Sequence, residues 1–350
     1  MADAAHPVGG VDYPRNYHEL LAWFPDDAAC LRYLERLRWG DRFACPRCGG
    51  GEYWRMGDGV RRCAGCRRET SVTAGTIFQG TRLPLVSWFA AVWYVVNQKN
   101  GVSALGLQRV LGFGSYQTAW AWLHKLRRAM VCPGRELLSG AVEVDETLIG
   151  GVKPGRPGRS LDGKALVVIA VECHDHGPGR IRLGRIPNAS ADVLSDFVLD
   201  YVARGSEVRT DAWNGYNDIG RYQFRHVVTN VKESGDPAHV AMPEVHRVAS
   251  LLKRWLLGTH QGSTDVAHLP AYMNEFVFRF NRRRSHSRGM VFYRVLELAV
   301  DHGPVRYRDL IVKKQPGKTP PAPPSGRGKP PSLERPPANR PWRTNQRSSG

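Results

Sequence analysis

The sequence predicts a multidomain α/β protein of 350 residues, and three observations support this class. Two CxxC pairs lie in the first part of the chain, helical periodicity dominates residues 84–130, and strand patterns mixed with helices begin at Ala141. A chain of this length can form two or three domains, each with a core of its own.

The charge balance points to a polyanionic partner. The chain carries 50 Lys and Arg against 32 Asp and Glu, a formal charge of +18, which favours nucleic acid over a membrane surface. The longest apolar run, residues 86–96, is too short to span a bilayer, and the first ten residues lack the features of a secretion signal. We therefore expect a cytoplasmic protein without a membrane partner, whose seven cysteines are thiols or metal ligands.

Residues 17–40 are predicted to form an N-terminal helical segment. Leu31, Leu34 and Leu37 recur at helical spacing, and Asp26 stands where an N-cap residue belongs. We interpret this segment as a packing element without chemistry of its own.

Residues 41–80 are predicted to form a zinc ribbon. Two CxxC knuckles are separated by fourteen residues, room enough for a small hairpin, and four thiolates at this spacing suit one tetrahedral ion. The four ligands are Cys45, Cys48, Cys63 and Cys66. Arginines surround them and are candidates for phosphate contacts or for plain solvated surface charge: Arg47, Arg55, Arg61, Arg62, Arg67 and Arg68.

Residues 81–134 are predicted to be helical and to bind DNA. A helix over about residues 103–111, a glycine-containing turn at 112–115 and a basic helix over 116–130 match a helix-turn-helix, whose second helix can enter a major groove. Lys125, Arg127 and Arg128 are its candidate DNA contacts. The alternative is a helical hairpin that only packs against its neighbours.

Residues 138–300 are predicted to form a ribonuclease-H-like catalytic domain, because three strands, a helix, a strand and further helix follow one another. In the first strand, AVEVDETLIGG, Glu143 and Asp145 share one face. A buried carboxylate needs a cation or hydrogen bonds to compensate it. A second acid, Asp211, follows a later strand, so a metal site for phosphoryl chemistry is one interpretation, and an edge strand with solvated acids is the other.

A helix opened by Pro243 supplies the third polar position, His246. Lys253 follows seven residues later and lies about 20° from His246 around the helix axis, and Arg254 comes next. Both His246 and Lys253 flank the apolar stripe, where a side chain can reach a cleft at the edge of the core. On its own, His246 is better explained as a core-edge histidine with a hydrogen-bond partner.

The C-terminal residues 313–350 are rich in Pro, Gly, Lys and Arg and contain almost nothing apolar. Such a segment cannot bury a core, so we expect a disordered basic tail.

Taken together, the motifs resemble those of DDE-type transposases of the IS1595 family, the ISXO2-like group of bacterial insertion sequences. The resemblance covers about residues 17–300. It is carried by RWGDRFACPRCGG and RRCAGCRRETSVTAGTIF, then VEVDETLIGG and RTDAWNGY, and finally VHRVASLLKRWLLGTHQG with HLPAYMNEFVFRFNRRRS. Several linked motifs in this order are more specific than any one of them.

The resemblance implies a metal-dependent transposase with Asp145, Asp211 and His246 as catalytic ligands of Mg²⁺ or Mn²⁺. The third ligand is often a glutamate in such enzymes, with a basic residue seven positions later, and this chain has His246 with Lys253 there. Glu143 is the substitute ligand if this assignment fails. Lys253 and Arg254 are then contacts to the element's terminal DNA.

The same resemblance implies double-stranded DNA partners, namely terminal inverted repeats and target DNA, and a homodimer or higher oligomer on DNA in a bacterial nucleoid. Two other readings stay open. One is a zinc-ribbon and helix-turn-helix regulator with an inactive catalytic domain, which His246 in place of an acid favours. The other is a nuclease that hydrolyses DNA without joining it.

Overall fold

The computed structural model of the chain describes residues 6–40, 42–132, 134–150, 164–229, 238–261 and 265–311. The predicted tail, residues 313–350, lies outside these ranges. The described residues form a small three-stranded sheet, a helical layer and a five-stranded mixed sheet flanked by helices.

The first sheet confirms the ribbon predicted between the CxxC pairs. Strands β1 (Tyr53–Gly57), β2 (Val60–Cys63) and β3 (Glu69–Ser71) pair antiparallel in sequence order. The β1–β2 turn needs Gly59, because its φ is +73° and a Cβ there would lie 2.7 Å from a Leu31 methyl. The ribbon therefore packs closely on the N-terminal helical segment.

The helical layer contains the N-terminal segment and the predicted helix-turn-helix region. Its helices are α1 (Tyr17–Trp23), α2 (Asp27–Trp39), α3 (Leu85–Asn97), α4 (Ala104–Leu111) and α5 (Tyr116–Ala129). Asp26 caps α2 as predicted, since its side chain accepts a 2.8 Å hydrogen bond from the Ala29 N–H.

The core of this layer is completed from the far end of the chain. Helix α10 (Arg288–Asp301) packs Phe292 against Phe89 of α3, with ring centroids 5.8 Å apart, and against Trp93 at 5.5 Å. Val291 to Val300 of this helix share one core with α2, α3 and α5. The boundary expected at residue 300 thus does not follow the packing, because this last helix belongs to the first core.

The second sheet positions the predicted site. Strands β4 (Ala141–Gly150), β5 (Lys164–His174) and β6 (Gly177–Ile186) form an antiparallel meander, while β7 (Glu207–Asp211) and β8 (Arg225–Thr229) add parallel to β4, in the order β6-β5-β4-β7-β8. Helix α6 (Ala191–Tyr201) connects the meander to β7. This mixed α/β arrangement was predicted, although the sequence pattern did not locate β8 between Asp211 and His246.

Both faces of this sheet are covered, as the apolar run in β5 predicts. Val167 and Ile169 enter a core shared with α8 (Pro243–His260) and α9 (Leu269–Asn281), and Val168 and Ala170 enter the core under α6. The predicted stripe of α8 is confirmed as its buried face: Val245, Val248, Ala249, Leu252 and Leu256. The remaining helical pieces are α7 (Ala238–Ala241), α11 (Tyr307–Leu310) and two 3₁₀ turns, Asn214–Tyr216 and Ile219–Tyr222.

A buried ion-pair network joins the helical layer to the sheet domain, and it corrects one prediction. Arg127 of α5 was expected to contact DNA, but its side chain is 2% exposed and pairs at 2.8 Å with Glu275 of α9, which also pairs with Arg279 at 2.8 Å. Burial acts to raise the pKa of Glu275, but the charges of Arg279 and Arg127 outweigh it and lower that pKa to about 2. Arg127 therefore stabilises the interface between helices and does not reach the surface.

We expect Arg127→Met to lower the free energy of unfolding by about 3–5 kcal/mol, because it leaves the Glu275 carboxylate buried with less compensation. Chemical denaturation measures the loss. The neighbouring exposed Arg128→Gln is the control, and its effect should stay within about 0.5 kcal/mol. Equal stability of the two variants would contradict the structural role of Arg127.

Candidate active site and zinc centre

The four predicted zinc ligands converge in the ribbon. Their sulfur atoms all lie within 4.8 Å of one another, with Cys45 to Cys66 and Cys48 to Cys63 both at 3.5 Å. Tetrahedral zinc with Zn–S bonds of about 2.3 Å holds sulfurs a little under 4 Å apart, so the cluster fits this ion. A hydrogen bond from the Cys48 backbone N–H helps to lower the pKa of Cys45 to about 6, while the neighbouring cysteine thiols raise the pKa of Cys48 to about 11. A bound zinc ion would favour the thiolate form of all four ligands.

One arginine of the ribbon is structural. Arg61 is 3% exposed, and its guanidinium lies 4.2 Å from the ring centroid of Tyr53 and 4.5 Å from that of Trp39. Glu35 lies on its other side at 3.9 Å. Arg61 is thus corrected from a candidate phosphate contact to a cation packed among aromatic rings.

Removing zinc should unfold the ribbon locally, since a sheet of three short strands has little core of its own. We expect a chelator, or Cys66→Ser, to expose the amides of β1–β3 to hydrogen exchange. Cys132→Ser, at a half-buried cysteine outside the cluster, is the matched control. Unchanged protection in the Cys66 variant would exclude a structural metal.

The first predicted catalytic acid lies on β4, facing α8. Val142 and Val144 point into the core under α6, so Glu143 and Asp145 occupy the opposite face, as the alternation predicts. The side chain of Asp145 is 20% exposed. It therefore stands at the rim of the α8-side core.

The second acid, Asp211, is brought beside the first by strand pairing. Parallel strands β4 and β7 place Glu143 opposite Arg209. Two residues further along both strands come Asp145 and Asp211, on the same face of the sheet. Asp211 also accepts a 3.0 Å hydrogen bond from the Trp213 N–H, which fixes its carboxylate as β7 ends.

The third residue reaches the same place from α8. His246 Nε2 lies 3.9 Å from Asp145 Oδ2, and the imidazole is 32% exposed. The structure thus brings Asp145, Asp211 and His246 together across 101 residues of sequence. Lys253 acts on Asp145 as well, because its positive charge opposes the upward shift of the Asp145 pKa.

The positive charge of Lys253 does not offset the burial and mutual repulsion of the acids at the site. Burial, the neighbouring Glu146 and then Asp211 raise the pKa of Asp145 to about 7. Glu146 is held beside the site by Tyr216, whose hydroxyl donates to it at 2.8 Å. A divalent cation among these carboxylates would favour their charged forms, so the electrostatics fit such an ion.

The site is more open than the zinc centre. Within the described ranges, the four cysteines are the one group of three or more candidate ligands whose atoms all lie within 4.8 Å. Asp145, Asp211 and His246 are spread more widely. Two carboxylates and an imidazole at this spacing suit a hard cation that keeps several water ligands, as Mg²⁺ and Mn²⁺ do, rather than a closed protein cage.

Glu143 has a position that the sequence did not predict. Its side chain is 3% exposed and accepts hydrogen bonds from the backbone N–H groups of Glu244 and Val245, at 2.9 and 2.8 Å. Helix α8 has no side-chain cap of its own. A carboxylate on β4 therefore caps α8 from across the fold and fixes the helix that carries His246. The pairing of a buried strand acid with a helix start is not visible in local sequence.

We expect Glu143→Ala to lower the free energy of unfolding by roughly 2–4 kcal/mol, since two buried N–H groups lose a charged acceptor. Glu136→Ala removes a carboxylate that is 87% exposed and serves as the control, with a loss below about 1 kcal/mol. Thermal or denaturant unfolding measures the free energy of unfolding of both variants. Equal decreases in this free energy would rule out the capping role of Glu143.

The predicted DNA contacts fall into three groups. Lys253 and Arg254 are exposed on α8, and Arg128 is exposed on α5. Lys125 is half-buried, with its Nζ 5.7 Å from the centroid of the Trp88 ring. Arg127, as shown above, lies inside the fold.

Among the described helices, none has both the length and the apolar character needed to cross a bilayer.

Two family comparisons match this architecture. The ISXO2-like transposase domain matches residues 137–281, and the transposase zinc-ribbon domain of the IS1595 type matches residues 25–69. The chain is also 27% identical over 281 residues to an uncharacterized protein in transposable element ISH50 of Halobacterium salinarum, covering 73% of this chain and 91% of that protein.

Solved structures give weaker likenesses. The catalytic core domain of BIV integrase aligns over 44% of this chain and 93% of that chain, at 15% identity and a TM-score of 0.29. Mos1 transposase, in a paired-end complex with the left transposon end, aligns over 56% of this chain and 76% of that chain, at 12% identity and a TM-score of 0.22. Scores this low carry no argument about this chain.

Proposed function

We propose that this chain, which belongs to the ISXO2-like transposases of the IS1595 family, cuts and joins DNA strands with divalent cations at Asp145, Asp211 and His246. The observation that carries the proposal is the parallel pairing of β4 with β7, which brings Asp145 and Asp211 to the same face of the sheet, while His246 of α8 lies 3.9 Å from Asp145. In this view the domain around the second sheet is a ribonuclease-H-like catalytic domain.

Asp145 and Asp211, with His246, would hold the cations. When bound, two such ions lower the pKa of an attacking water or 3′-hydroxyl and stabilise the leaving oxygen of the phosphodiester. Because an imidazole is a poorer ligand for Mg²⁺ than a carboxylate, His246 favours Mn²⁺ at its own position.

The surrounding residues orient these ligands. Glu143 fixes the start of α8, so His246 stays over Asp145. Tyr216 holds the Glu146 carboxylate by a hydrogen bond. Lys253, exposed two helical turns beyond His246, would bind a phosphate of the terminal DNA as a point cation, with Arg254 beside it.

Double-stranded DNA is the proposed partner, as terminal repeats and as target, with the protein acting as a dimer or higher oligomer that holds two ends together. The formal charge of +18 supports such a partner. Helices α4 and α5 would act as a helix-turn-helix. Tyr116 and Gln117 are exposed at the start of α5, where a recognition helix contacts base edges.

A second candidate function is DNA-binding regulation without catalysis. It is favoured by His246, which replaces the acid often found at that position. Incubation with DNA carrying the element's ends separates the two functions: cleavage that requires Mg²⁺ or Mn²⁺ supports the transposase, and binding without cleavage supports the regulator. Hydrolysed product without joined product would support a nuclease.

We expect Asp145→Asn and Asp211→Asn each to lower strand transfer by at least about 10³-fold, because each removes a negative ligand of the reacting metal. Affinity for the end DNA should change by less than about threefold, since neither substitution removes a basic side chain that can contact phosphate. Joined product is quantified on a gel.

The control is Asp196→Asn, at an exposed position on α6 away from the site, and it should transfer strands at the wild-type rate. Strand transfer at near wild-type levels in the Asp145 or Asp211 variant would refute the assigned roles.

A further inference from the structure

A cavity of about 700 Å³ lies at the turn between α4 and α5, away from the acidic site. The loop before α3 and helix α11 close its sides. The wall residues that bear on its chemistry are Arg82, Phe113, Thr118, Trp122, Lys125 and Tyr307. Its volume is in the range that binds a drug-sized or nucleotide-sized ligand.

One wall of the cavity is rigid and aromatic. Trp122 stacks on Trp88 with centroids 3.6 Å apart and an angle of 12° between the rings, and Phe113 meets Trp122 edge-on at 4.8 Å. Because both wall rings are at most 8% exposed, their positions are set by the core. Tyr307 of α11 lines the same cavity and is 46% exposed. Tyr307 therefore offers an exposed flat face on which a planar ring can stack, and Phe113 and Trp122 form a rigid apolar wall.

The two charged residues that line the cavity are both positive. Arg82 and Lys125 line the cavity, and no aspartate or glutamate does. Across the part of the chain that the structure describes, no salt bridge within 4.0 Å engages either cation. Lys125 is half-buried, and this burial lowers the pKa of its ammonium. An anion in the cavity would compensate this charge.

A planar apolar wall beside cations without acids has the chemistry of a nucleotide site. Proteins that hold unpaired DNA combine aromatic rings for the bases with positive charge for the backbone. An acidic peptide would use the cations but leave the aromatic wall without a planar partner. A neutral apolar ligand would leave Lys125 uncompensated.

We propose that this cavity binds one unstacked nucleotide of DNA, with its base on the exposed ring of Tyr307, beside the wall of Phe113 and Trp122, and its phosphate at Lys125. The inference rests on the proposed function, because it takes DNA to be the partner. It adds a place where a DNA strand is held by a base outside the double helix, next to the start of the proposed recognition helix.

The test compares two single-stranded probes of ten nucleotides, oligo(dT) and an abasic deoxyribose-phosphate chain of equal charge, bound to the full chain and followed by fluorescence anisotropy. Since stacking of one base contributes about 1–3 kcal/mol, the wild type should bind oligo(dT) about 5-fold or more tightly than the abasic chain. Equal affinities would overturn the proposal.

Two variants locate the preference. Thr118→Phe narrows the cavity from a half-buried wall position and should reduce the preference for oligo(dT) to below about twofold. Lys125→Met removes the charge and should weaken oligo(dT) binding about 3–10-fold, with a shallower salt dependence. Arg128→Gln, on the same helix outside the cavity, should weaken both probes equally and leave their ratio unchanged. Circular dichroism confirms that the variants fold. If Thr118→Phe does not fold, the oligo(dT) affinity of Lys125→Met and its salt dependence test the proposal.

The remaining outcomes are also decisive. A base preference that persists in Thr118→Phe would overturn the proposal, and so would oligo(dT) affinity that Lys125→Met leaves unchanged. Hexaglutamate that competes as well as oligo(dT) would also overturn it, because this indicates a general anion site. This result is separable from the proposed catalysis: Asp145→Asn should lose strand transfer and keep the base preference. If the wild-type protein transfers strands but shows no preference for oligo(dT) over the abasic chain, the cavity proposal is wrong and the proposed catalysis is not affected.

Discussion

The parallel pairing of β4 with β7 is the constraint on which the proposed active site depends. Residues 145 and 211 are far apart in the chain, yet the register that sets Glu143 opposite Arg209 brings the two aspartates to the same face of neighbouring strands. The pairing is itself stabilised from both faces, since β4 and β5 lie between the cores under α6 and under α8. The favourable packing free energy of the whole domain thus offsets the unfavourable free energy of holding two carboxylates close together.

Two acids of β4 that share a face have different electrostatic settings. Burial raises the pKa of Glu143, and the hydrogen bonds from the N–H groups at the positive start of α8 oppose this shift. Asp145 meets other carboxylates, and their repulsion with burial raises its pKa to about 7. Glu143 is therefore suited to hold the helix, and Asp145 is suited to bind a cation. The helix that Glu143 caps also carries His246 and Lys253, so the strand and the helix are fixed to each other.

Features coded by local spacing were predicted from the sequence. The cysteine pairs, the alternation on β4 and the buried stripe of α8 each depend on residues within one element or one turn. Features coded by distant packing were not. Arg127 lies at the basic end of a helix and was predicted to contact DNA, but its partner Glu275 is 148 residues away. Arg61 reads as surface charge, yet rings from Trp39 and Tyr53 enclose it. The strand β8 is only five residues long and half-exposed, so its pattern is too short to distinguish it from a loop.

The proposed active site requires Asp145 and Asp211 to share a divalent cation with His246 beside them. Anomalous diffraction from crystals of the protein soaked in Mn²⁺ tests this requirement. We expect an anomalous peak bound by oxygens of both aspartates at roughly 2 Å, with His246 in or next to its coordination shell. A map without a peak there, or with the two carboxylates turned to different ions, would contradict it.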